Sequence, residues 1–489
     1  GKNMKIILQE DSKQLDEVVV VGYGTQSKKT LTGAVSMVNM GDVEMNTVPN
    51  VSRALAGKAA GFRVNQVSAQ PGGEAKFRIR GEASTGAGNE PLFVIDGFPV
   101  SSTSNLSSGN GFYESGNIDN VLESLNPDDI ESISVLKDAA STAIYGARAG
   151  HGVVLITTKR GKSQKPRVTY SGMGSVQVAR SNYKMLDTRM YMDMYNKQMH
   201  EEWLKLNGMG IYEGYVEKQD TPPTQYKPTF NNDEILTASG TDWLDAVMRN
   251  GYTQQHNLSV NGGTEKAKYK LSFIHQDQPS VMVGNGLKQN NMNASFNFKP
   301  FKFLTLEYRT RLLHKEVDGS GTEGVSLLTA LREKPTKGLD EYMKLPEDDT
   351  YFDPDQLEEE TLFDPKEESK RNYKKRINKS LNTMGAVTWD IMKGMTFRSE
   401  FGFENNSEEQ RRFWGMETSK ARSNNNQPVA EWSMKQGTKW QLTNVWNYNF
   451  MLKEAHDIRL MLGQEIKHNQ TTTKTYSTRF FPENITAEK

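Results

Sequence analysis

Gly319-Ser320-Gly321-Thr322-Glu323-Gly324 has the spacing of a dinucleotide-binding loop, in which glycines let a pyrophosphate approach a helix N-terminus. A strand-like run at 303–313 precedes it, a helical run Val325–Glu333 follows, and Asp340 lies beyond. The preceding run argues against that chemistry. A Rossmann-type strand is buried on both faces, whereas Thr305, Glu307, Arg309 and Arg311 make alternate residues of this one polar. A flexible loop accounts for the glycines better. Eleven acids fall between Glu347 and Glu368, ahead of Lys370, Arg371, Lys374, Lys375 and Arg376. Clustered carboxylates can hold calcium, but EF-hand spacing is missing and a solvated loop explains the run. The seven histidines show no ligand spacing, and cysteine is absent, which excludes disulfides, thiolate nucleophiles and Cys-ligated metals. There is no nucleophile elbow, no phosphate-binding loop with its lysine, and no carboxylate pair that stands out for glycoside hydrolysis. The reading is therefore no catalytic residue, no metal and no cofactor. Trp203, Trp243, Trp414 and Trp432, taken as loop residues, offer faces for a sugar ring or a partner, or for packing the loops on themselves.

One further run could do something other than catalysis. Asp16-Glu17 leads into Val18-Val19-Val20-Val21 and then Gly22-Tyr23-Gly24. Branched β-carbons crowd a helix and suit a pleated strand. Such a strand, ahead of the first well-marked domain, is either an ordinary core strand or one that joins a partner's sheet edge.

The elements behind these residues fall into two patterns. From 48 to 165 helices and strands mix. Val51–Lys58 reads as a short helix; 62–64, 76–81, 92–95, 130–137 and 153–159 read as strands. Asp96-Gly97 reads as a turn, 98–120 as a flexible Ser/Gly/Asn-rich loop, and Asp138 as the N-cap of a helix 139–145 that ends at Gly146. This is one α+β domain. After Pro166 the period becomes two: Met292, Ala294, Phe296 and Phe298 oppose Asn293, Ser295 and Asn297, and Ala267, Tyr269, Leu271 and Phe273 oppose Lys268, Lys270 and Ser272. The alternation recurs near 168–178, 252–261, 303–313, 381–391, 395–405, 438–450 and 457–467, about nine strands, most near the ~9–11 residues that cross a bilayer obliquely. Long connections (179–251, 277–289, 314–380, 406–437) alternate with short ones. Short turns on one side and long loops on the other fit a transmembrane β-barrel better than a soluble sandwich or propeller. The apolar face would meet lipid, with Trp389, Trp440, Trp446 and Tyr448 as an interfacial girdle.

Composition agrees. The chain has 489 residues, with 60 Lys+Arg balancing 60 Asp+Glu, which argues against a nucleic-acid partner. Only 35% of residues are hydrophobic, yet 20 Phe, 18 Tyr and 7 Trp argue against disorder. No run approaches the length of a transmembrane helix, and no signal peptide is visible.

Leu15–Gly24 resembles the TonB box region of the SusC/RagA-like TonB-dependent transporters of the Bacteroidetes outer membrane. Val48–Gly61, Pro71-Gly72-Gly73 with Arg78-Ile79-Arg80-Gly81, Pro91–Gly97 and Leu125–Lys159 resemble successive motifs of their plug domain. His256–Val260 with Gly262-Gly263 and Lys268-Tyr269 is similar more weakly. The resemblance covers about 1–315, and the remainder by pattern only. It implies a mainly β fold: an α+β plug at 48–165, then antiparallel transmembrane β-barrel strands at 166–489, an incomplete barrel of a fold with about 22 strands. It makes 1–14 a remnant of a carboxypeptidase-regulatory-like domain, 15–24 the TonB box region and 25–47 a linker, so the chain looks like the N-terminal half of a transporter.

The implied function is TonB-dependent import of a large nutrient, a glycan first and an oligopeptide as the alternative, across the outer membrane of a Gram-negative bacterium. Other readings are an outer-membrane receptor or adhesin without transport, and a surface glycan hydrolase. The implied partners are TonB with ExbB and ExbD, a SusD-like surface lipoprotein, the cargo and outer-membrane lipid. TonB would pair with Asp16, Glu17, Val18, Val19, Val20 and Val21, so 15–24 is expected to pack poorly on the plug and to make few backbone hydrogen bonds of its own. Arg78, Arg80, Gly81, Asp96, Gly97, Glu131, Lys137 and Asp138 carry the plug motifs. Arg78 and Arg80 with Glu131 are the expected plug–barrel contacts, because buried arginines need carboxylate partners.

Overall fold

The computed structural model describes residues 18–21, 24–27, 35–39, 57–66, 71–72, 75–79, 90–100, 127–180, 184–213, 225–319, 330–331, 333–336, 371–416, 424–452 and 456–479, with single positions between them such as Val51, Leu55 and Leu125. Asp16, Glu17, Arg80, Gly81, most of the glycine motif and all of the acidic segment lie outside the described residues.

Val18–Val21 (β1) pairs antiparallel with Gly24–Ser27 (β2), Val18 opposite Ser27 and Val21 opposite Gly24. The valine run therefore does make a ladder of backbone hydrogen bonds, contrary to expectation. The reason is local: an extended run with a partner two residues away closes a hairpin at little entropic cost. The pair is a sheet of its own, joined by no other described strand.

The α+β domain has a five-stranded sheet in the order β3 (Val35–Asn39), β8 (Ile130–Leu136), β9 (Val153–Thr158), β6 (Leu92–Ile95), β7 (Phe98–Val100), with β6 and β9 parallel and the rest antiparallel. A separate hairpin, β4 (Phe62–Gln66) and β5 (Ala75–Ile79), packs against it. Phe62, Phe77 and Phe93 meet in the core, with ring centroids 5.8 and 5.2 Å apart, among Val51, Leu55, Ile130, Ile133 and Ile156, all buried. Each of these side chains contributes about 1.5–3 kcal/mol by leaving water. β7 falls inside the stretch expected to be loop. Asp96 and Gly97 have φ of 54° and 95°, as a type I′ turn requires, and so fold Phe98–Val100 back onto β6. Asp138 caps as expected, its Oδ1 accepting from the Ser141 N–H at 2.8 Å. The α-helix, α1 (Ala139–Thr142), is shorter than expected, because the chain tightens into a 3₁₀ segment that breaks at Gly146 (φ 66°).

Among the described residues, nine strands form one antiparallel meander: β10 (Gln164–Gln177), β11 (Gly251–Gly263), β12 (Ala267–Pro279), β13 (Gly286–Phe301), β14 (Leu304–Asp318), β15 (Asn372–Met392), β16 (Met395–Trp414), β17 (Val429–Leu452) and β18 (His456–Arg479). β10 and β18 are its edges. The strands number as the alternation predicts but run longer, from 13 to 24 residues. Hence the connection expected at 277–289 shrinks to 280–285, and that at 406–437 to 415–428. Alternation was lost to the eye there because charged residues take both faces where the strands project past the apolar band. The connection 178–250 is not bare loop: it carries α2 (Thr188–Leu206), α3 (Asn232–Thr237) and α4 (Trp243–Ala246).

The two faces of this sheet invert the order of a water-soluble protein. Leu258, Phe273, Met292, Phe296, Tyr308, Val387, Trp389, Phe401 and Trp446 point outward and are exposed. Thr253, Asn257, Lys270, Ser272, Gln276, Asn291, Lys315, Glu404 and Thr443 point inward and are buried. An apolar side facing out and a polar side facing in suits hydrocarbon on one side and a polar lumen on the other. Trp389 and Trp446 sit with Tyr448 near the short-turn ends of their strands; Trp440 lies mid-strand and does not join that belt.

Candidate functional site at the plug and wall

The α+β domain lies against the inward face of the sheet and touches it through discrete polar footings. The first is the 3₁₀ turn Pro127–Asp129, which ends as β8 begins. Asp129 is buried, and it accepts from Lys270 Nζ at 2.5 Å, from Ser272 Oγ, and from Asn293 Nδ2 at 2.6 Å. Beside it, Asp128 Oδ2 accepts from Asn257 Nδ2 at 2.6 Å. Three strands, β11, β12 and β13, thus converge on two consecutive carboxylates. The register explains it: Asn257 faces Ile274, Ser272 faces Asn293, and these positions share the inward face.

The second footing is the tip of the β6–β7 hairpin. The Asp96 carboxylate is held within its own domain, accepting from the Thr158 N–H at 2.9 Å and from Thr158 Oγ1 at 2.7 Å. From the wall, Arg309 Nη1 donates to the Asp96 carbonyl at 3.2 Å and lies 3.6 Å from its carboxylate. Arg309 also meets Glu307 at 3.0 Å, and Glu307 gathers Arg398 at 3.2 Å and Arg160, just past β9, at 3.5 Å. Arg398 in turn holds Glu400 at 2.7 Å. Burial and the Glu400 carboxylate push the phenol of Tyr145 up, so that it stays neutral. A third, more open contact pairs Arg148 with Glu465 of β18 at 3.6 Å.

Between the first two footings lies a cavity of about 60 Å³, lined by Phe98, Asp129, Lys270, Arg309 and Arg311 among others. Phe98 closes it by pressing on the wall at Gly402, where a Cβ would come within 2.4 Å of the ring. Gly402→Val is therefore expected to lever the hairpin off β16. Hydrogen exchange across residues 92–100 should quicken about tenfold or more, whereas unchanged exchange would show that Phe98 does not seat there.

These contacts are not the ones expected from the motifs. Arg78 and Glu131 are both exposed, on β5 and β8, so neither is the buried partner the argument required. Lys137 donates to Ser36 within the domain. Asp96 and Gly97 do reach the wall. The sequence reading passed over Asp128 and Asp129, one turn before Glu131, and the wall residues Glu307, Arg309 and Arg398. The signal that finds them is the inward parity of charged residues in otherwise apolar-alternating strands.

The tryptophans divide similarly. Trp243 is buried and donates its Nε1–H to the Lys334 carbonyl at 3.0 Å, which makes it loop core. Trp414 and Trp432 lie on strands rather than loops: Trp414 is buried at the end of β16, and Trp432 stacks outward on Tyr476. Trp203 sits on α2 with His200 and Tyr226 around it.

A family model described as TonB-dependent Receptor Plug Domain matches residues 27–153, the domain that carries both main footings. The TonB-dependent receptor SusC of Bacteroides thetaiotaomicron is 34% identical over 301 residues, covering 61% of this chain and 26% of that one. Residues 27–153 are thus a plug domain of the TonB-dependent receptor type, and the chain is similar to the SusC/RagA-like receptors. TonB-dependent receptor P39 of Formosa agariphila is 26% identical over 472 residues, 95% of this chain and 40% of that one. The RagAB peptide importer in its open-open state superposes with a TM-score of 0.73 at 22% identity, over 96% of this chain and 51% of that one. The plug followed by a polar-lined antiparallel sheet is thus a shared fold. This chain spans 26% and 40% of the length of these two curated relatives.

Proposed function

We propose that the whole protein imports a large nutrient across the outer membrane of a Gram-negative bacterium, driven by TonB with ExbB and ExbD. The observation that carries this reading is the hairpin β1–β2: it stands outside the plug sheet while leading directly into the plug. An isolated two-stranded hairpin is marginal in water. A partner that adds a strand to β1 replaces a weak local pairing with a stronger one and gains a handle on the plug. The polar footings then hold the plug in the lumen until it is pulled, and a SusD-like lipoprotein would cover the loops on the cell surface.

Of the two cargoes implied by the resemblance, the glycan has less support than the oligopeptide. The solved structure reported above is described as a peptide importer, and the names of the two curated relatives carry no cargo. The inward wall of Asn, Gln, Ser and Lys side chains suits a peptide main chain, which offers donors and acceptors at every residue.

The test is to delete Asp16–Val21 from the full-length protein in its native membrane. Uptake of labelled oligopeptides is expected to vanish while surface binding persists. Undiminished uptake would remove the coupling role; lost binding as well as uptake would point to a receptor whose N-terminus is structural.

A further inference from the structure

A second cavity, of about 130 Å³, lies between the plug strands β6 and β7 and the inward face of β14 to β18, on the side of the Asp96 footing toward the long connections. It adjoins the first cavity, sharing Ile95, Asn293, Arg311 and Asn382 with it, and differs from it in charge. Four inward cations line it, Arg311, Lys315, Lys435 and Lys439, against two inward carboxylates, Glu404 and Glu408. The excess is positive, in a wall whose lower part, around Glu307, Arg309, Arg398 and Glu400, is paired off charge for charge.

Two of the lining groups are left unmatched in a telling way. Glu404 is wholly buried; its Oε1 accepts from Asn406 and from Lys439 at 3.5 Å, but its Oε2 has no partner. Nη1 of Arg311 is also buried without a hydrogen-bond partner, although the carboxylates of Asp96 and Glu404 both act on its guanidinium through space. A buried acceptor and a buried guanidinium N–H that face one cavity and do not meet cost the fold free energy, since each loses water without a replacement. A ligand that brings both a donor and an acceptor repairs both.

We propose that this cavity is a transit subsite for an acidic peptide segment. A side-chain carboxylate of the cargo takes the Arg311 N–H, a main-chain N–H donates to Glu404 Oε2, and Lys435 and Lys439 raise the local potential for negative charge. The inference rests on the peptide reading above and narrows it to carboxylate-rich peptides. Because Ile95 and Val100 form the plug side of the cavity, the subsite exists only while the plug is seated. Pulling the plug away therefore releases what it holds.

The experiment measures uptake by cells carrying the full-length protein. Two tagged peptides of equal length are compared, one rich in glutamate and one with glutamine at the same positions. At subsaturating concentration the acidic peptide is expected to enter about tenfold faster, as one charge-assisted contact predicts, and its advantage should shrink as salt rises. Arg311→Gln is expected to erase most of that advantage, cutting the acidic peptide's uptake about tenfold more than the neutral peptide's; Arg311→Lys should keep part of it. Equal uptake of the two peptides by the unaltered protein overturns the subsite, whatever the variants do. So does an Arg311→Gln loss that is the same for both peptides, which would mark a structural arginine. Uptake of both peptides without preference leaves the importer reading standing and removes only this one. Uptake of an oligouronate in place of either peptide overturns the peptide cargo and this subsite together.

Discussion

Asp129→Ala is expected to unseat the plug. Lys270 is nearly as buried as Asp129, with side-chain exposures of 9% and 8%, and their charged atoms are 2.5 Å apart. Removing the carboxylate strands an ammonium group in the interface, together with the Ser272 hydroxyl and the Asn293 amide that donated to it. Breaking one side of a buried pair costs about 3–5 kcal/mol, most of it the penalty of the charge left behind. Hydrogen exchange of β8 and β9, measured on the full-length protein in lipid, should then quicken by two orders of magnitude or more, and cells should admit large antibiotics that the seated plug excludes. The contrasting variant separates charge from shape. Asp129→Leu with Lys270→Met removes both charges at similar volume, and such exchanges are often neutral. If the double variant leaks as badly as Asp129→Ala, the footing works by shape and not by the ion pair. If Asp129→Ala itself leaves exchange and permeability unchanged, the first footing bears no load.

The same aspartate shows where sequence reasoning ends. The strand Ile130–Leu136 and the Asp138 cap were legible, because apolar alternation and a capping oxygen are local signals. So was the count of nine wall strands, since each carries its own period-two pattern. What Asp129 touches was not legible. Lys270, Ser272 and Asn293 lie 141, 143 and 164 residues away, and only the strand register brings them to one point. Strand ends were lost for another reason: where β15 to β18 rise past the apolar band, Lys, Arg and Glu occupy both faces, and the period disappears although the pairing continues. Arg78 is not the buried charge that its place in a plug motif suggests. Its neighbours Phe77 and Ile79 are the buried faces of β5, so the strand's own alternation already turned Arg78 outward.

Glu307→Leu is expected to loosen the second footing far more than Arg398→Met, and the asymmetry follows from counting partners. Glu307 is the shared acceptor of three guanidiniums: Arg309 at 3.0 Å, Arg398 at 3.2 Å and Arg160 at 3.5 Å. Without it, three positive groups converge on a site that no longer holds a negative one. Arg398 can fall back on Glu400 at 2.7 Å, and Arg309 on Asp96 at 3.6 Å, but Arg160 loses the carboxylate that ties the end of the plug to β14. Losing hydrogen bonds to a buried charge costs about 1.5–3 kcal/mol, and the repulsion among the arginines adds to it. Arg398→Met instead leaves Glu307 with two guanidiniums still in place, so its cost should stay within about 1 kcal/mol, the range of a partly exposed ion pair. The measurement is exchange protection of residues 92–100 and 153–158 in the full-length protein in lipid. Equal effects of the two variants would mean that Glu307 is one ion pair among several. A large effect confined to Glu307→Leu would make it the keystone that lets one pull on the plug release Arg160, Arg309 and the Asp96 hairpin in a single step.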